Sequence, residues 1–137
     1  MAHYGIGDRE YRFAQLLWRQ GTILIKDLIK LAEQEMNWHK STTYTVLRRL
    51  CGLGMFQNED GLITTLITEE EYKSNLSEKI VMNAFQGSFC AFATAFLKKR
   101  PLTQKEKDEL MEMIKRMDDE PEQVQEQKGT QKKRGKK

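Results

Sequence analysis

Two short β-forming runs meet at Asp60-Gly61 directly after three amphipathic helical patterns, and this succession leaves the first 68 residues few ways to fold. Helix one is expected from Asp8 to Gln20, where Tyr11, Ala14, Leu17 and Trp18 recur at i, i+3, i+6 and i+7. Asp8 reads as its N-cap and Gly21 as its stop. Thr22-Ile23 suits a short strand. Ile25, Leu28, Ile29, Ala32 and Met36 then predict helix two over about Lys26 to Met36, followed by a turn through Asn37-Trp38-His39. Helix three covers about Ser41 to Gly52. Met55 to Asn58 and Leu62 to Ile67 read as strands, with Asp60-Gly61 supplying the positive φ of a tight hairpin.

The second half reads as helical. Thr68 followed by Glu69, Glu70 and Glu71 is a capping box that opens a fourth helix, and the acids there suit the helix macrodipole. A second box, Thr103 with Glu106 after Pro101, opens a last helix with Leu110, Met113, Ile114 and Met117 on one side. Between them Phe85, Phe89, Phe92 and Phe96 are spaced at i, i+4, i+7 and i+11, more apolar surface than so small a helical unit can cover. A second copy of the chain is the expected cover, with Phe85, Phe89, Phe92, Phe96, Leu110 and Ile114 as dimerisation residues. Gly87 marks either a kink between two shorter helices or a close helix approach. Three segments are expected: a unit over 1–68, a helical dimerisation unit over 69–118, and a disordered charged tail over 119–137.

At 137 residues the chain has room for one domain or two very small ones, and 39% hydrophobic against 31% charged residues is a globular balance. The low-charge stretch Ile80 to Leu97 is interrupted by Asn83, Gln86, Gly87 and Ser88, so it reads as a buried helix and not a membrane span. The opening MAHYGIGDREYR meets charged residues before any apolar run, which is no signal peptide; a cytoplasmic location is expected. Cys51 and Cys90 stand far apart with no second Cys near either, so reduced, buried thiols are expected and no disulfide framework. His3 and His39 lack partners at ligand spacing. No metal, no cofactor and no catalytic constellation is expected, since P-loop, GxGxxG and paired nucleophile patterns are all missing from the sequence.

Charge directs attention to distribution, because a net of +3 is too small for general polyanion affinity. The last twenty residues carry acids first, Asp118 to Glu126, and then Lys128 to Lys137, a basic end able to touch phosphate without specificity. Helix three is the more specific feature. Thr43, Val46, Leu47 and Leu50 form its core stripe, while Ser41, Thr45 and Arg48 lie opposite, flanked by Tyr44 and Arg49, with Thr42 near the boundary. That outer face carries no acid. Short hydrogen-bonding side chains followed by arginines are what a helix needs in a major groove, with Lys40 and Ser41 meeting the backbone, Arg48 the bases and Arg49 phosphate. In the order helix, strand, helix, turn, helix, hairpin, this is the layout of a winged helix-turn-helix, so the fold class expected is mainly α with that N-terminal unit and a helical C-terminal one.

The sequence also resembles the penicillinase-repressor family of bacterial regulators. The resemblance rests on Ile6-Gly7-Asp8-Arg9-Glu10 leading to Leu17-Trp18, on Trp38 before Thr42 to Leu50 (TTYTVLRRL), and on Gly52-Leu53-Gly54-Met55. Thr68 to Tyr72, and Phe89 to Leu97 before Pro101-Leu102-Thr103, extend it to about residue 117. It implies a homodimeric repressor on double-stranded operator DNA of palindromic form, acting on resistance genes. It further implies a membrane sensor protease as partner, with cleavage near Ala95-Phe96. The paired C-terminal cysteines of a copper-sensing branch are missing here. The wing turn, Asn58-Glu59-Asp60-Gly61, is acidic, so weak DNA contact by the wing is expected, and Lys40 stands where that family commonly has Pro. The alternative is a protein-interaction module that uses the same scaffold without sequence-specific DNA binding.

Overall fold

A computed structural model of the protein describes residues 5–119. His3 and the tail beyond residue 119 lie outside them. The elements run α1 (Asp8–Gln20), β1 (Thr22–Leu24), α2 (Ile25–Met36), α3 (Lys40–Gly52), β2 (Phe56–Glu59), β3 (Leu62–Thr65), α4 (Glu69–Ala84), α5 (Phe89–Lys99) and α6 (Gln104–Asp119). They fall into two compact units that divide at Phe89/Cys90, so α4 belongs with the first unit. The fold class is the expected one: mainly α, with a winged-helix N-terminal unit and a helical C-terminal one. Among the described residues no single helix is long and apolar enough to cross a membrane.

The first unit is built on a small antiparallel sheet of order β1-β3-β2. Ile23 pairs with Ile63 on one side, and Asn58 with Ile63 on the other, so β3 is central and buries Ile63. Asp60 and Gly61 both take positive φ, 55° and 87°, as a two-residue hairpin requires. The Asn58 side-chain oxygen accepts from the Gly61 amide at 2.9 Å, and Gly61 in turn accepts from the Ile25 amide at 2.7 Å. The hairpin turn is thereby tied to the start of α2. β3 ends at Thr65, two residues earlier than expected, because the amides of Leu66 and Ile67 leave the ladder to donate to the Met55 carbonyl.

The core joins Phe13, Ala14, Leu16 and Leu17 of α1 to Leu28, Ala32 and Met36 of α2, Leu47 and Leu50 of α3, and Trp38, Met55, Phe56 and Ile63. On α1 this corrects the expected stripe: Phe13 and Leu16 are buried, whereas Tyr11 and Trp18 are only half-buried. The polar tips of those two rings explain their place at the rim. The Trp18 indole N–H donates to the Ile67 carbonyl at 2.9 Å, and the Tyr11 hydroxyl donates to Glu69. The α1 cap is also one residue earlier than expected. Gly7 is the N-cap, in extended conformation, and its amide donates to the Glu10 carboxylate at 3.0 Å, which leaves Asp8 as the first helical residue.

Both predicted capping boxes are present. Thr68 Oγ1 accepts from the Glu71 amide (3.0 Å) and Glu71 accepts from the Thr68 amide (2.8 Å); Thr103 and Glu106 do the same at 3.1 and 2.9 Å. The stretch Ile80 to Leu97 is not one buried helix but parts of two shorter ones, the first of the two readings of Gly87. Gln86 and Gly87 both take positive φ, 50° and 83°, which no right-handed helix accommodates, and the Gly87 amide donates back to the Val81 carbonyl to close α4. Neither α4 nor α5 contains a buried residue. Both thiols are free, but the expectation of burial fails for Cys90, which is exposed on α5, while Cys51 is half-buried and its pKa is raised by desolvation.

The Tyr11–Glu69 contact couples α1 to the first turn of α4, with Gln15 Nε2 donating to the same carboxylate oxygen at 3.2 Å. The hydrogen bond to Glu69, with burial and that carboxylate's charge, pushes the Tyr11 phenol from 10.0 up to about 12. The bonds from Tyr11 and Gln15 hold Glu69 below its ordinary value. For Tyr11 the stabilisation is complete below pH 10.0 and lost as pH rises towards 12; for Glu69 it is complete above its ordinary value and lost as pH falls through the lowered one. In an ultraviolet phenolate titration one tyrosine should therefore ionise near pH 12 in the folded chain, and Tyr11→Phe should abolish that step. Gly61→Ala, which forces a side chain into left-handed backbone with its Cβ 3.5 Å from Ile25, should cost about 1–2 kcal/mol in urea denaturation.

Candidate nucleic-acid interface

The turn into α3 is braced from α1. Arg9 donates from its guanidinium to the Met36 carbonyl at 3.1 Å and lies 5.7 Å from the centre of the Trp38 ring, while Phe13 packs on the other ring contact of Trp38 at 5.1 Å. Asn37 takes the left-handed conformation that ends α2. His39 then serves as the N-cap of α3 in extended backbone without a side-chain bond, and no acid occupies the first turn. The helix starts at Lys40, one residue before the expected Ser41. Its leading amides have no side-chain cap, and their dipole favours an anion.

Burial divides α3 by side. Thr43, Leu47 and Leu50 are buried and Val46 is half-buried, the expected core stripe. Thr43 is the one buried polar side chain in the described core, and its hydroxyl donates to the His39 carbonyl at 3.3 Å. Lys40, Ser41, Thr45 and Arg48 are exposed, and Thr42 and Tyr44 are half-buried. Ser41 and Thr45 stand one turn apart, as do Tyr44 and Arg48, so these side chains share one outward surface. No carboxylate lies anywhere on α3. Among the described residues Arg48 and Lys40 make no ion pair.

Arg49, expected on phosphate, is exposed and carries an ion pair. Its Nε donates to Glu10 Oε2 at 2.8 Å, in an ion pair between α3 and the first turn of α1. Glu10 thus serves two amide and guanidinium donors at once, with Oε1 on Gly7 and Oε2 on Arg49. No local pattern announces a pair 39 residues apart; only the packing of α1 beside α3 creates it. The same holds for Arg9. At the hairpin tip Asn58, Glu59 and Asp60 are exposed, so the wing presents acids to solvent.

On α5 and α6 the apolar surface is open. Phe89 is 61% exposed and Phe96 49%, and Leu97 is also exposed. Phe92 is half-buried, with its ring 6.3 Å from that of Phe96. On α6, Leu110, Met111, Met113, Ile114 and Met117 are all exposed. The expected single stripe of four phenylalanines is corrected: Phe85 caps α4 in the first unit, and only Phe89, Phe92 and Phe96 share a helix. The break at Gln86-Gly87 ends the periodicity on which the stripe depended. Among the described residues no three His, Cys, Asp or Glu side chains gather as metal ligands would.

The family model described as penicillinase repressor matches residues 6–116. A methicillin resistance regulatory protein MecI of Staphylococcus aureus strain Mu50 is 24% identical over 115 residues, spanning 81% of this chain and 94% of that protein. MecI proteins of Mammaliicoccus sciuri and Staphylococcus epidermidis are 23% identical over the same proportions.

Proposed function

We propose, from the premise that the chain belongs to the penicillinase repressor family, that this transcriptional repressor binds a palindromic operator as a homodimer and reads it with α3. The observation that carries the reading is the outer surface of α3, exposed, free of carboxylates and bearing Ser41, Thr45 and Arg48. A major groove admits such a helix, and each good bidentate base contact discriminates by about 1–3 kcal/mol. Arg48 takes a base edge, with Thr45, Thr42 and Tyr44 beside it. Lys40, Ser41 and the leading amides of α3 meet phosphate. Arg49 reaches phosphate by exchanging Glu10 for it. The acidic wing stays off the duplex, since Glu59 and Asp60 would be repelled by its backbone.

The dimer forms through the apolar surfaces of α5 and α6, with Phe89, Phe92, Phe96, Leu110 and Ile114 in the seam. A two-fold pair of recognition helices matches a palindrome with half-sites separated by whole turns. By the names of its relatives, the regulated genes belong to antibiotic resistance. A membrane sensor protease would have to open α5 to reach Ala95-Phe96, because both residues lie inside that helix.

Mobility shift and anisotropy on the DNA upstream of its own gene test the reading, with two chains per palindrome expected. Log affinity should fall with log salt at about −0.9 per phosphate contacted. Arg48→Ala should cost about 1–3 kcal/mol on the operator and little on unrelated DNA, whereas Arg49→Ala should weaken all sequences and flatten the slope by about one unit. Retention of full discrimination by Arg48→Ala would remove α3 as the reader. In sedimentation, Phe96→Glu should convert dimer to monomer, and an unchanged dimer would remove α5 from the seam.

A further inference from the structure

A second feature of the first unit shares Arg49 with the proposed DNA contact. The end of α3, the segment leading into β2, α4 and Gly5-Ile6 line a half-open cleft of about 380 Å³, within the size range of small-molecule sites. Its wall is apolar, formed by Leu53, Met55, Ile67 and Leu76. Leu53 is 53% exposed there, so a ligand would withdraw from water a surface the chain leaves open. The charged side chains at the cleft are both cations, Arg49 and Lys79, joined by the neutral Tyr72 hydroxyl and Asn75 amide, with no carboxylate in the lining. Tyr72 Oη accepts the Ile6 amide at 3.0 Å, and among the described residues its own proton has no acceptor. Arg49 gives only its Nε–H to Glu10, which leaves its terminal N–H groups for another acceptor.

We propose that this cleft binds a small amphiphilic carboxylate, with the apolar body against Leu53, Met55, Ile67 and Leu76 and the carboxylate held by Arg49, Lys79 and Tyr72. An apolar wall fixes the body by burial, while a few convergent donors select the charge and orient the head group. A cationic or neutral amphiphile would gain the first term only and would leave two cations facing it. The ligand site does not depend on DNA binding, and it is tested without DNA.

Octanoate is the probe, titrated against the full chain by ligand-observed NMR beside octanol and octylamine. Octanoate should bind and the other two should bind more weakly. Lys79→Met keeps the apolar wall and should weaken octanoate about threefold while leaving octanol unchanged. Glu10→Gln retains a side chain able to cap Gly7, removes the competing charge beside Arg49, and should tighten octanoate about threefold. Leu76→Trp, checked for folding by circular dichroism, should block uptake. Equal binding of octanoate and octanol overturns the proposal, since it leaves no role for the cations. So does binding that survives Leu76→Trp, which would place the probe on the open surfaces of α5 and α6, and so does the lack of any uptake, as expected if a second copy fills the cleft.

Discussion

Thr43, Leu47 and Leu50 are withdrawn from water into the core of the first unit, and that single anchorage decides where the rest of α3 points. A helix that buries one side at this spacing must turn Ser41, Thr45 and Arg48 the opposite way. The supporting contacts serve that orientation. Arg9 on the Met36 carbonyl and over Trp38 fixes the turn before α3, and the Met55 amide donating to the Leu50 carbonyl fixes the exit. Deleting buried apolar groups at such positions costs about 2–5 kcal/mol, far more than any surface contact on the outer side contributes. The outward surface of α3 is therefore free to be chosen for its chemistry.

Electrostatics refine that surface. The unit holds two neighbouring arginines in different states, Arg48 without a carboxylate partner among the described residues and Arg49 paired with Glu10. An exposed pair of this kind is worth little on its own, so Arg49 can exchange partners cheaply. Its guanidinium is therefore available to both proposed anions, operator phosphate and a carboxylate in the cleft beside Lys79. The acidic hairpin tip, Glu59-Asp60, is exposed and opposes a polyanion, so the proposed DNA contact falls on few side chains of α3.

The second unit presents the opposite problem. Two short helices with Phe89, Phe96, Met111, Ile114 and Met117 exposed do not enclose a core of their own, because so small a unit has too much surface for its volume. An open apolar surface of that extent calls for a partner, and in the proposed reading a second copy covers it and matches a palindromic site.

Much of this was legible in the chain. Asp60-Gly61, the two Thr/Glu boxes, the core stripe of α3 and the acid-free side opposite it are local patterns, and local patterns survive folding because they express backbone preference and helical period within one element. The Phe85 to Phe96 spacing misled for the same reason: it assumed one helix, and the backbone at Gln86-Gly87 ended it. What only the tertiary structure decided are meetings of residues far apart in the chain. Glu10 with Arg49, Arg9 with Trp38, Tyr11 with Glu69, and the wall of the cleft all depend on which elements pack side by side, and no periodicity within a single segment encodes a distance between two of them.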